Sequence, residues 1–511
     1  MSNFRQTKGS QLEWTSVEKS EGHSNFHFVD EYFWSSPILR RILSLARKLK
    51  FRSIAVEKIS ENECELFAQE NEALAARISE FSHSRVRRLL FFSGKKEEPG
   101  KLLGYTVFKE DYFTGFENPK FHIYEAVLRP VRDFESNNFL HTTRGYSLVT
   151  SLGDFQTFGN LYGQQNGMTF ACAHVALRSV LSSVLPAGDL SYPEINEILG
   201  IDLKAIEPGK KIGLGPDQLE TVFTHYGLSY TKTAFQPPHE EDPGIELEGE
   251  FQRHLYGVIE SGLPALLGFE TAKSRHMIPV LGHTFNEDTW VADSKANYFA
   301  QNRGWFSSES WLSSYVVHDD NFGPYYCIPR HYLSKDNFRI LLGLTRVKTV
   351  TEALEIEAAI PDYAKKIAEA FSERGNSWQQ NFALFAEKGV LVLRTLLLKR
   401  EEYLEALVRS ESWAGERMNE QAISRLKDKL PEHFWMVELS APELFAGTRH
   451  KFGEVLLACD QEIPEGNGLE ILLAARVPGL VLWPEGDNLE RVESGIENHV
   501  PLFELSPAGA S

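Results

Sequence analysis

The stretch Gly163-Gln164-Gln165-Asn166-Gly167-Met168-Thr169-Phe170-Ala171-Cys172-Ala173-His174-Val175-Ala176-Leu177-Arg178-Ser179-Val180-Leu181 begins in turn-forming residues and passes straight into an apolar run with helical spacing. A cysteine at that junction sits at the positive end of the helix dipole, where an anion is stabilised by about 0.3–1 kcal/mol. The helix also offers the backbone N–H of Cys172 to a developing oxyanion. A thiol attacks only as its thiolate, so a reactive cysteine needs an imidazole, a helix amino terminus or both beside it. Taken alone, Cys172 reads first as a small buried apolar residue, the usual fate of a free cysteine.

What shifts that reading is the order of features downstream. Leu214-Gly215-Pro216-Asp217-Gln218-Leu219 opens a helix that ends at Tyr226-Gly227-Leu228, where glycine takes the left-handed cap. Gly262-Leu263-Pro264-Ala265-Leu266-Leu267-Gly268-Phe269 reads as a strand leading to His276-Met277-Ile278-Pro279-Val280-Leu281-Gly282-His283, a second strand begun by a histidine. Trp290-Val291-Ala292-Asp293 reads as a third strand that returns to a carboxylate.

This succession, over about Gln164 to Ser294, resembles the papain-like cysteine peptidase superfamily, and within it bacterial cysteine peptidases of the bacteriocin-leader-processing type. The resemblance implies that Cys172 attacks an acyl carbon, His276 carries the thiol proton to the leaving group, and Asp293 orients the imidazole. It also implies a glutamine shortly before the cysteine as oxyanion donor. The usual spacing of six residues falls on Asn166, with Gln165 seven and Gln164 eight before Cys172; Gln165 is assigned the role and Asn166 is its substitute. If the turn centres on Asn286-Glu287-Asp288, Asp293 returns short of His276, so an offset or bulge is expected and Asn297 and Asp288 stand in reserve.

Other polar residues take plainer readings. His174 lies two positions past Cys172 on the same helix and points elsewhere. His283 is expected as a turn residue, Trp305 and Trp311 as core, and Cys327 as buried beside Tyr325 and Tyr326. His318 and Asp319 hint at metal ligation, but without spaced partners they make no site. No metal and no cofactor are expected.

The chain has 511 residues, more than one hydrophobic core organises, so several domains are expected. The fold class read here is α+β: an N-terminal α+β domain (1–138), a papain-like catalytic domain of helices plus antiparallel sheet (139–330), a helical segment (331–431) and a small C-terminal β-rich domain (432–511). The composition, 42% hydrophobic and 24% charged, is that of a folded protein. With 71 acidic against 53 basic residues the net charge is −18, which disfavours nucleic acid and anionic membranes as partners. Met1 to Ser16 lacks a signal-like apolar stretch, and four cysteines without a CxxC pair suggest neither disulfides nor structural zinc, so a cytoplasmic location is expected. The expected function is a cysteine hydrolase cleaving peptide or isopeptide bonds in a protein or peptide substrate. The same triad would also serve a transglutaminase or deamidase, and an inactive papain-like shell used for binding is the third possibility. Substrate choice, and any protein partner or regulator, is assigned to the N- and C-terminal parts, with 331–511 expected to be removable without loss of thiol reactivity.

Overall fold

The computed structural model describes residues 4–16, 36–130, 137–140, 142–186, 188–207, 213–234, 245–270, 275–285, 304–333, 338–371, 375–464 and 468–505. Over these the chain is mixed α+β, built on three seven-stranded sheets that are antiparallel apart from one short edge pair.

The first sheet has the order Gln11–Ser16, Ser53–Ile59, Phe81–Phe92, Leu102–Phe113, Lys120–Leu128, Gly153–Tyr162, Arg144–Thr150. The helix Pro37–Lys48 covers one face. Ser36 caps it by accepting from Leu39 N–H at 3.3 Å, and Ile38, Leu39, Ile42, Leu43 and Ala46 form the buried stripe that meets Ile54, Leu89, Phe91 and Phe108. On the opposite face lies the helix Cys172–Val184.

The second sheet runs Gly323–Pro329, Leu312–Asp319, Arg275–Phe285, Ala265–Glu270, Phe338–Thr345, Ser229–Ala234, with Asn137–Phe139 also paired to Arg275–Phe285. It closes over the other side of the Cys172–Val184 helix, so every residue from Ala173 to Ser182 is buried. Leu177, Val180 and Leu181 therefore share one core with Tyr105 and Val127 of the first sheet and Leu266 and Leu342 of the second. An apolar helix surface on all sides is stable only when flanked in this way.

The third sheet has the order Phe306–Ser307, Val392–Lys399, His433–Ser440, Gly453–Ala458, Leu472–Val477, Leu480–Glu485, Asn488–Glu493. Helices Ala353–Glu369 and Ser377–Lys388 cover one face, and Arg400–Arg409 and Glu420–Lys429 the other. Ile245–Glu260 packs on the second sheet and against Val392–Lys399, joining the two halves.

These pairings cross the division expected from sequence. Arg144–Thr150 and Gly153–Tyr162 complete the first sheet beside Lys120–Leu128, so a boundary at 138/139 divides that sheet. The region 331–431 is not a helical segment: Phe338–Thr345 lies inside the second sheet and Val392–Lys399 inside the third. Both are short and largely apolar, and a run of that kind carries no periodicity to tell a strand from a buried helix. Truncation at 331 would therefore remove an inner strand of the second sheet. The expected strand Thr289–Ala292 lies outside the described residues. No helix among the described residues is long and apolar enough to cross a membrane.

A buried chain of charges crosses between the second and third sheets. Glu260 accepts from His283 and, at 2.6 Å, from Arg394; Arg394 donates to Glu438 at 2.8 Å. Lys451 donates to Glu438 at 2.6 Å and also pairs with Glu454, which accepts from Arg476 at 3.0 Å. Replacing Arg394 by methionine leaves Glu438 with Lys451 and Glu260 with His283 but breaks the link between them, and the loss expected is about 3–5 kcal/mol in a urea titration. A change below about 1 kcal/mol would show that this chain does not hold the halves together.

Candidate active site

Cys172 is the first residue of its helix and is half-buried, as are Ser183 and Val184 at the far end, whereas Ala173 to Ser182 are enclosed. His174 completes the helix start: its Nδ1 accepts from Ala171 N–H at 3.3 Å and its Nε2 lies 3.0 Å from Asn196 Oδ1. Burial, only partly offset by the Asn196 bond, lowers His174 to about 4, so the ring is neutral and serves as a cap.

His276 is the second residue of Arg275–Phe285, opposite Phe269. The Cys172 side chain lies close enough to its ring to help raise its pKa. The other partners come from the end of Leu312–Asp319 and the turn after it. Nε2 of His276 lies 3.5 Å from Asp319 Oδ2, 3.3 Å from Asp320 Oδ1 and 3.4 Å from Asn321 Nδ2. Asp319 Oδ1 accepts from the backbone N–H of Asn321 at 2.8 Å and of Phe322 at 3.3 Å, which fixes the carboxylate. The two acid side chains are 7% and 3% exposed and His276 is 22% exposed, so the acids are dry while the ring reaches the surface.

Charge follows from this placement. Burial lowers His276, but the hydrogen bond with Asp319, the nearby Cys172 side chain and the charges of Asp320 and Asp319 outweigh it and raise the ring to about 10. Burial raises Asp319, yet the hydrogen bond and charge of His276 and the two backbone N–H groups leave it below the usual carboxylate value. Asp320 is pushed up to about 6 by burial, with His276 opposing and Asp319 adding to the rise. At neutral pH the ring is an imidazolium between the sulfur and the carboxylates.

Of the residues singled out from sequence, Cys172 and His276 come together. Asp293 lies outside the described residues, as do Asp288 and Asn297, and the carboxylates seen at His276 are Asp319 and Asp320. The register explains why: Arg275–Phe285 pairs with Leu312–Asp319 through Val280↔Val317, so the residues after Val317 run beside His276. A signal was present in the run Tyr315-Val316-Val317-His318-Asp319-Asp320-Asn321, an apolar strand ending in acids. His318 and Asp319 point to opposite faces of that strand. His318 is buried with Nδ1 3.1 Å from Leu161 O, and burial lowers it to about 3. The turn expected at His283 is replaced by a buried pair with Glu260, and Cys327, expected to be buried, is exposed.

Asn166 is not an available oxyanion donor. Its Oδ1 accepts from the N–H groups of Met168, Thr169 and Phe170, and its Nδ2 donates to Thr169 Oγ1 at 2.7 Å and Glu70 Oε1 at 3.0 Å. Gln164 is tied to Ile123, accepting its N–H at 3.2 Å. Gln165 is half-buried and has no hydrogen-bonded partner among the described residues.

His276, Asp319 and Asp320 each present a possible metal ligand atom, all within 4.8 Å of one another. A ring protonated to about 10 has no lone pair to offer, and as a cation it already neutralises the acids. Histidine-selective NMR should therefore show the His276 ring titrating near pH 10, and Asp319→Asn, by removing a hydrogen bond and a charge that raise it, should move the midpoint to lower pH. Elemental analysis of the purified protein should find no stoichiometric divalent metal. Comparison with protein-family models, with curated proteins and with solved structures found no match.

Proposed function

We propose that this chain is a cysteine-nucleophile hydrolase of the papain-like kind, cleaving peptide or isopeptide bonds in a protein substrate through a thioester acyl-enzyme. The observation that carries the reading is the meeting of Cys172, at the head of a buried helix, with a His276 ring held from its far side by Asp319 and Asp320. In this reading Asp319 takes the orienting role that the resemblance gave to Asp293, because its carboxylate is locked by two backbone N–H groups.

Cys172 attacks as its thiolate, the S–H proton having passed to His276: the S–C bond forms, the C=O π bond breaks and the oxygen takes the negative charge. The backbone N–H of Cys172 and the side-chain amide of Gln165 receive that oxyanion. Collapse breaks the bond to nitrogen, and His276 delivers its proton to the leaving amine. Neutral His276 then takes a proton from water as the hydroxyl adds to the thioester, and the acid departs with the thiol restored. Asp319 keeps the ring edge-on to the sulfur throughout.

In a Cys327→Ser background, so that Cys172 is the accessible thiol, iodoacetamide at pH 5–6 should modify Cys172 selectively. His276→Ala should slow that reaction by about 10²-fold or more. Slow labelling that is indifferent to His276 would sink the enzyme reading and leave a binding shell. Intact-mass analysis of candidate substrates then separates cleavage, which adds a water across a broken chain, from deamidation, which adds about one mass unit without a break.

A further inference from the structure

We propose that Glu70 is a positioning residue for the turn that carries the oxyanion donor, acting through Asn166; the proposal rests on the cysteine-hydrolase reading above. The turn from Gln165 to Cys172 is held at two points. At its far end Phe170 stacks on Tyr192, ring centroids 3.9 Å apart and 14° from parallel. At its near end Asn166 gathers three backbone N–H groups on Oδ1, and its Nδ2, which donates to Thr169 Oγ1 at 2.7 Å within the turn, is the group that also reaches outside it. Glu70, on the helix Glu65–Arg77, accepts from that Nδ2 at 3.0 Å. Between the two anchors Gly167 takes φ +70°, a conformation in which the chain has little resistance of its own to swinging.

The carboxylate that does the holding is itself immobile. Glu70 Oε2 lies 2.9 Å from Lys109 Nζ, Lys109 lies 3.3 Å from Asp111 Oδ1, and Asp111 Oδ1 accepts from Ser84 Oγ at 2.6 Å. Glu70 is 7% exposed and the side chains of Lys109 and Asp111 have no exposed surface. A dry row of alternating charges is costly to desolvate and contributes little net stability, so its effect here is orientation. It transmits the rigid framework of Phe81–Phe92 and Leu102–Phe113 to a loop that would otherwise be free. Gln165, next to Asn166 and without a hydrogen-bonded partner among the described residues, inherits its placement from this clamp. Displacing an oxyanion donor by about 1 Å is enough to cost on the order of 10²-fold in rate.

Alkylation and acylation of Cys172 separate this role from general support, because only acylation develops an oxyanion. The probes are iodoacetamide and p-nitrophenyl acetate, used on the full chain. Glu70→Gln keeps an oxygen that can accept from Asn166 and should hold the acylation rate within about threefold of the parent. Glu70→Ala combined with Lys109→Met, which removes one buried carboxylate and one buried cation together, should lower acylation by about 10–10²-fold while alkylation stays within about twofold. Asn166→Ala, which leaves the charge row intact, should produce the same loss, and adding it to the double variant should lower the rate no further. Unchanged acylation in Asn166→Ala or in the double variant, or a parallel fall of acylation and alkylation, would overturn the proposal. If His276→Ala leaves alkylation unaltered, it is the hydrolase reading that fails.

Discussion

The burial of the Cys172–Val184 helix between two antiparallel sheets is the constraint on which the remaining structure depends. Each sheet alone would leave one side of the helix in water, and the run of alanine, valine and leucine on its surface tolerates that on neither side. Once both sheets are in place, the helix reaches the surface only at its two ends, and the residue at its amino end is Cys172. Packing, rather than any specific polar contact, thus aims the thiol at the edge of the second sheet, where His276 begins its strand.

The same arrangement makes the N-terminal part a component of the site. Its helix Pro37–Lys48 sends Arg41 to the turn after the acids, where Nε donates to Pro324 O at 2.9 Å and Nη2 to Tyr325 O at 2.7 Å. Tyr325 adopts φ +50°, an uncommon backbone state for a bulky residue, and its hydroxyl is held between Leu128 O and Asn160 N–H, both at 2.9 Å. The first sheet therefore steadies the Asp319–Asn321 turn on one side and the Asn166 turn on the other. An expectation that this region only selects substrates places it too far from the chemistry.

Local pattern was a good guide wherever a single period extends over several turns or residues. The helix opening at Cys172, the proline-started helix that ends before Gly227, and the strands through Ala265–Phe269 and His276–His283 were all legible. It failed at Phe338–Thr345 and Val392–Lys399, whose short, largely apolar runs are equally compatible with a buried helix. It did not point to Asp319 and Asp320 beside His276, because these acids end and follow the strand that pairs with Arg275–Phe285 and lie well beyond the expected hairpin. The connection from Phe285 to Leu312 is far longer than a hairpin turn, and strand partners are chosen by sheet register rather than by distance along the chain.

By itself, then, the sequence determined the local chemistry: a thiol at a helix start, a histidine at a strand start, a glycine- and amide-rich approach, and an acidic surface. These depend on propensities and charges acting over a few residues. Tertiary structure alone decided which acids face the imidazole, which amide is spent on building the turn, and that Glu70 and Lys109 stand behind it. Those outcomes need groups separated by dozens to hundreds of residues to be buried together, and desolvation, which makes such contacts strong, exists only once the sheets have closed over the helix.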